Sequence, residues 1–186
     1  MNSFYNVSEL VAIDCETTGL NPKQDRIVSI AAIRFDVSKL ALDKFQKAEC
    51  MVCLVNPGCS IPAITSRIHG ITDDDVRNEH SFRQLAPEIR RFLGTAPIVA
   101  HNVSFDCNFL NSEFRRAGFE GIEKNKKFCT MATAAATLRL QRNTLDYVAE
   151  HFGLKRNGQF HNAYEDAMLV SQIATEFHLL ERRLRS

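Results

Sequence analysis

Asp14 and Glu16 close the apolar run Leu10–Ile13. The two-residue period of a strand puts both carboxylates on one side, with Ile13 and Cys15 on the other. A backbone separation of about 6–7 Å lets the two side chains converge on one cation. Acids leaving a buried strand together are unfavourable unless something positive neutralises them, and oxygen donors of this kind suit hard divalent ions. Taken alone, the pair also fits a solvated strand end before a turn. Asp106 falls in the first turn of a helix that Ser104 is placed to cap, where an acid complements the helix dipole. Asp166 lies on the last helix, at the edge of a buried stripe of Ala163, Ala167, Val170, Ala174 and Phe177. His161 is five residues earlier, about 140° around a continuous helix, so it meets Asp166 only if it stands at or before the helix start. Gly158-Gln159-Phe160 just upstream is consistent with such a start. An imidazole so placed can serve as a general base near neutral pH, or simply as a cap.

Positioning these groups requires a layered α/β framework. Strands are expected at Leu10 to Ile13, Arg26 to Phe35 after the turn-forming Gly19-Leu20-Asn21-Pro22, Ala48 to Val55, and Pro97 to Ala100. In the second strand both alternating sets are largely apolar, as for a strand covered on both faces. Helical character sets in after Pro62. Ser81 is a plausible N-cap for a helix carrying Leu85, Ile89 and Phe92 and ending at Gly94. The helix of Leu110, Phe114 and Ala117 should end at Gly118, followed by a basic loop through Lys127. Further helices are expected at Thr130 to Leu138, Thr144 to Phe152 and Ala163 to Arg183.

The 186 residues, 45% hydrophobic, suffice for one sizeable core, and 1–186 is read as a single domain. No apolar stretch is long enough to span a membrane and Met1 to Leu10 does not resemble a signal peptide, so a cytoplasmic protein without a membrane partner is expected. The net charge of +1 means that any nucleic-acid contact is local. The basic clusters Arg115–Arg116, Lys124–Lys127, Arg139–Arg142, Lys155–Arg156 and Arg182–Arg185 read as solvated helix ends or loops. Cys50 and Cys53 form a C-x-x-C near Cys59, but no second pair follows at zinc-ribbon spacing. The six cysteines are expected to be reduced and mostly buried. Neither a G-x-x-x-x-G-K-[ST] loop nor a G-x-G-x-x-G is present, which argues against a phosphotransferase.

Three separated segments together carry more than any acid alone. Asp14-Cys15-Glu16-Thr17-Thr18-Gly19-Leu20, His101-Asn102-Val103-Ser104-Phe105-Asp106 followed by Phe109-Leu110, and His161-Asn162-Ala163-Tyr164-Glu165-Asp166-Ala167 resemble, in order, the motifs of the DEDDh 3′–5′ exonucleases, which include the proofreading epsilon subunits of bacterial replicative polymerases. Ile68-His69-Gly70-Ile71-Thr72, and Thr144-Leu145-Asp146 leading to Phe152-Gly153-Leu154, are also similar to family segments, so the resemblance runs from about Leu10 to Phe177. Phe128-Cys129-Thr130 departs from it, with a cysteine where many relatives have an acid.

The resemblance implies a ribonuclease-H-like fold, a mixed five-stranded sheet with its first three strands antiparallel, flanked by helices. It implies that Asp14, Glu16, Asp106 and Asp166 hold two Mg²⁺ or Mn²⁺ ions and that His161 is the general base. Leu20, Ile68, His69 and Phe105 match positions that contact the terminal nucleotide, and the backbone of Thr17 and Thr18 lies near its 3′-hydroxyl. The expected activity is release of 5′-mononucleotides from 3′ ends of nucleic acid, DNA in preference to RNA. The alternative is a catalytically silent module that binds nucleic-acid ends; it is disfavoured because all five chemical groups are present. The chain stops soon after the last helix without a polymerase-binding tail, so a free-standing enzyme is expected, with association to a polymerase or a second copy left open.

Overall fold

The ten-residue stretch Ile27–Asp36 (β2) is apolar at seven positions, on both of its faces, and is buried at its first seven. Only a strand covered on both faces can use such a sequence. In the computed structural model, which describes residues 4, 7–37, 48–156 and 161–185, this strand pairs on both sides. Its neighbours are Glu9–Thr17 (β1) and Glu49–Leu54 (β3), both antiparallel to it. Ile98–Ala100 (β4) adds to β1 in parallel, and Lys127–Cys129 (β5) to β4, giving the order β3-β2-β1-β4-β5.

Alternation along β1 divides the core in two. Val11, Ile13 and Cys15 pack on one face with Phe82–Leu93 (α3) and Val103–Ala117 (α4). Leu10 and Ala12 pack on the other with Leu145–His151 (α6) and the long Ala163–Arg183 (α7). By the same period Asp14 and Glu16 fall on the α7 side. The short helices Ala63–His69 (α1) and Asp73–Val76 (α2) follow β3, and Thr130–Thr137 (α5) follows β5.

Ser81 caps α3 as expected, its N–H donating to Gln84 Oε1 at 2.9 Å. Gly118, with φ 86°, ends α4 in the left-handed conformation that glycine adopts without strain. Four expectations need correction. The first strand runs to Thr17, so the two acids lie inside it, Asp14 opposite Ala31 and Glu16 opposite Ser29, because β2 continues the pairing past the apolar run. Asn102, not Ser104, caps α4; burial of Val103 in the core draws the helix start forward. The end of the basic loop at Lys127 is a strand, too short for alternation to show in the sequence. Finally, all six cysteines are free but only Cys15 and Cys107 are buried; Cys50 and Cys53 lie on β3, an edge strand, and Cys50 and Cys59 are exposed. Among the described residues no helix is long and apolar enough to cross a membrane.

Candidate active site

β1 outruns its parallel neighbour. The β1–β4 register ends at Ala12 and Val99, so the edge of β1 beyond it has no strand partner on that side. Asp106, from the first turn of α4, fills the gap: its Oδ1 accepts the Cys15 N–H at 3.0 Å. A buried backbone donor is thereby satisfied, and a carboxylate is fixed beside Asp14 and Glu16 near the carboxyl ends of β1 and β4. The β1–β2 register shifts between Glu16 and Thr17. Irregularities of this kind re-aim a side chain. Asp166 reaches the same place from the first turn of α7. Asp106 and Asp166 are each 4% exposed, whereas Asp14 and Glu16 are half-buried.

One oxygen from each of Asp14, Glu16 and Asp166 lies within 4.8 Å of the others, the one such group of potential metal ligands among the described residues. Burial pushes the Asp14 carboxyl well above its ordinary range, and the charges of Asp106, Asp166 and Glu16 push it further. Burial raises Glu16 to about 7, aided by Asp166 and opposed by His161 and Arg156. It also raises Asp106, against the pull of the Cys15 N–H, and Asp166, against Arg156 and His161. Such crowding is under-neutralised negative charge. Carboxylate oxygens converging this closely fit hard divalent cations.

His161 precedes the N-cap of α7, Asn162, whose Oδ1 accepts the Tyr164 N–H at 2.9 Å. This meets the condition set by the five-residue spacing; Gly158, Gln159 and Phe160 lie outside the described residues. The imidazole is 52% exposed, its Nδ1 is 3.2 Å from Asp166 Oδ2, and its backbone N–H donates to Ile68 O at 3.2 Å. The acids open onto a cleft of about 580 Å³ that Ile68, Phe105, His101, Asn143 and His161 also line.

The other expected contact residues are placed differently. Leu20 is 84% exposed, in the β1–β2 turn outside the cleft lining. Thr17 and Thr18 are buried; Thr17 Oγ1 donates to Gly19 O at 2.6 Å and Thr18 Oγ1 accepts the Arg26 N–H at 3.0 Å, which fixes this turn. A Cβ on Gly19 would sit 2.5 Å from Asp25 Oδ2, so a side chain there would displace the Asp25 carboxylate that accepts the Asn21 N–H. His69 is buried, its Nδ1 accepting the Ile71 N–H at 3.1 Å, and burial lowers its pKa against an opposing pull from the Thr17 backbone.

Two residues escaped sequence reasoning. His101 Nε2 is 2.7 Å from Asn143 O, an atom that only accepts, so this nitrogen carries the proton and Nδ1 accepts from Thr130 Oγ1 at 3.0 Å. The ring braces one wall of the cleft. Arg156, expected in a solvated cluster, is instead inside the site, its guanidinium donating to Asp166 Oδ1 and to Asp146. A basic residue close before the histidine segment was the available signal, but its burial depends on contacts that no local pattern encodes.

The raised carboxyl of Glu16 has a measurable consequence. Its folded pKa exceeds the ordinary value of 4.5, so its contribution to stability is complete below about 4.5 and is lost as pH rises through about 7. Asp14, Asp106 and Asp166 act with the same sign. In EDTA the melting temperature should therefore fall across this window, and Glu16→Gln should flatten the fall. An unchanged slope in the variant would show that Glu16 ionises freely in the folded protein.

The RNase_T exonuclease family model matches residues 11–174. The chain is 32% identical over 179 residues to a PolC-type DNA polymerase III of Thermotoga petrophila, which takes in 95% of this chain and 12% of that protein. It is 30% identical over 168 residues to the DNA polymerase III subunit epsilon of Rickettsia typhi, covering 88% of this chain and 71% of the relative. The nuclease domain of 3′hExo, a DEDDh family member, bound to rAMP, superposes with a TM-score of 0.78 over 95% of this chain and 94% of that one; at 17% identity this likeness concerns the fold. With the three acidic segments all inside the matched region, this chain belongs to the RNase_T exonuclease family, the DEDDh 3′–5′ exonucleases that its motifs resemble.

Proposed function

We propose that the chain, folded as one domain, hydrolyses the last phosphodiester bond at a nucleic-acid 3′ end and releases 5′-mononucleotides one at a time. The observation that carries this reading is the convergence of Asp14, Glu16 and Asp166 within 4.8 Å, with Asp106 fixed beside them and His161 at the cleft. Asp14 would be shared by two ions, Mg²⁺ or Mn²⁺, with Glu16 and Asp166 on the side of the attacking water and Asp106 on the side of the leaving oxygen. When bound, such ions supply neutralisation of charge on the phosphate and acidification of a water.

His161 accepts the water's proton as its oxygen bonds to phosphorus, and the bond from phosphorus to the 3′-oxygen of the preceding nucleotide breaks. Its exposed imidazole reaches both Asp166 and solvent, as a base that must later discharge its proton requires. Phe105 and Ile68, which line the cleft, would offer apolar surface to the terminal nucleoside, and the exposed Leu20, outside that lining, would reach it from the turn. The backbone around Thr17 and Thr18 would meet the 3′-hydroxyl. His69, beside Ile68 in sequence, would complete the contact with the terminal nucleotide. DNA is the expected substrate, supported by relatives that are named as DNA polymerase III components. A polymerase partner or a second copy of the chain is compatible with this reading.

Digestion of a 5′-labelled single-stranded DNA with Mg²⁺ should give a ladder shortening from the 3′ end, abolished by EDTA. A blocking 3′-phosphate should slow it, because the terminal hydroxyl is part of what is recognised. Binding of ends without any hydrolysis would replace this reading with that of a silent module. Faster digestion of an RNA of the same sequence would reverse the preference for DNA.

A further inference from the structure

The two oxygens of Asp166 are held unequally. Oδ1 accepts from Arg156 Nη1, a charge-assisted bond from a side chain only 10% exposed. Oδ2 meets His161 Nδ1 at the longer distance of 3.2 Å, and that imidazole is half in solvent. The guanidinium is itself anchored: Nε and Nη2 lie 3.2 and 3.1 Å from Oδ1 of Asp146, in the first turn of α6. Arg156 therefore spans two helices, one end of its planar fork on an exposed carboxylate and the other on a buried one. A planar fork fixes the orientation of a carboxylate as a flexible ammonium cannot.

We infer that Arg156 is a positioning residue for the acidic centre: anchored by Asp146, it locks Asp166 through Oδ1 and so reserves Oδ2 for a divalent ion shared with Asp14 and Glu16. This rests on the proposed reading of those acids as metal ligands. A carboxylate free to rotate would have to be ordered each time an ion bound; one already held from behind is not, which is why outer hydrogen bonds to ligating carboxylates strengthen metal binding. A lone cation beside the centre would oppose loading. Asp146 offsets part of that charge, and the orienting effect is the larger one on this reading. His161 Nδ1, 3.2 Å from Oδ2, is the partner that Asp166 would give up to an ion.

The test is calorimetric titration of Mn²⁺ into the metal-stripped full chain, with no nucleic acid present. Arg156→Gln should weaken binding by roughly 10- to 100-fold, the usual range for losing an outer partner of a metal ligand. Arg156→Lys, unable to span both carboxylates, should recover only part of that affinity. Asp146→Ala should weaken binding in the same direction but less, and should add nothing to Arg156→Gln. Unchanged or tighter Mn²⁺ binding in Arg156→Gln would overturn the inference, leaving Arg156 a structural tie or a competing cation. If that variant does not fold by circular dichroism, Asp146→Ala decides, since its side chain is largely exposed; full affinity there is equally fatal. A wild-type chain that cleaves no oligonucleotide yet loses Mn²⁺ affinity on Arg156→Gln would refute the proposed nuclease and leave this inference standing. Cleavage with an affinity indifferent to Arg156 would do the reverse.

Discussion

Asp14→Ala is expected to abolish hydrolysis while leaving the fold in place. Asp14 is the residue on which the electrostatics of the site converge: burial and three other carboxylates raise its pKa together. Removing it takes away the ligand proposed to be shared by both ions, and a metal-borne stabilisation of several kcal/mol corresponds to a loss of roughly 10³-fold or more in rate. The same change relieves crowding, so in EDTA the melting temperature should stay level or rise. By linkage, the stabilisation that Mg²⁺ gives the parent protein should largely disappear. Single-turnover assays and melting curves with and without Mg²⁺ check both halves. Retention of more than a few per cent of activity would remove Asp14 from the shared position. Unfolding would mean that this carboxylate, opposite Ala31 inside β1, serves the strand and not the chemistry.

His161→Asn should lower turnover by roughly 10²–10⁴-fold, the usual contribution of a positioned general base. Metal and oligonucleotide affinities should barely change, because His161 reaches Asp166 only through the long Nδ1 contact and half of its side chain is in solvent. The pH profile carries the decisive information. Turnover that needs an unprotonated imidazole falls on acidification, and the variant should lose that dependence at saturating Mg²⁺. A profile of unaltered shape, or a collapse of Mg²⁺ affinity, would make His161 a ligand or a helix-end residue and assign proton removal elsewhere. The His161 backbone bond to Ile68 O is preserved in the variant, so the cleft wall stays in place and the comparison isolates the ring.

The parts of this molecule that could be read from sequence are those where a local period and a long-range requirement coincide. β2 is apolar on both faces and is central; α7 carries a regular stripe and runs over the expected span, Ala163–Arg183. Asp14 and Glu16 share a face because a strand has no other option, and the five-residue spacing required His161 to precede the helix, as it does. Local signals failed where the deciding contact is distant. Both Asn102 and Ser104 suit an N-cap, and burial of Val103 chooses between them. β5 is three residues long, and only its pairing with β4 makes it a strand. The cysteines of β3 look like core residues until the strand order puts them at an edge. Arg156 belongs to the same class: its charge is visible in the sequence, but its place between Asp146 and Asp166 depends on how α6 and α7 pack.

Polarity of degradation tests the central claim most directly. A single-stranded DNA labelled at its 5′ end should be compared, with Mg²⁺, with the same strand closed into a circle. The cleft and its acidic centre, acting on a free 3′ end, predict a one-nucleotide ladder from the linear strand, 5′-mononucleotide as the small product, and an intact circle. Fragments from the circle, or shortening that begins at the 5′ end, would contradict a 3′–5′ exonuclease.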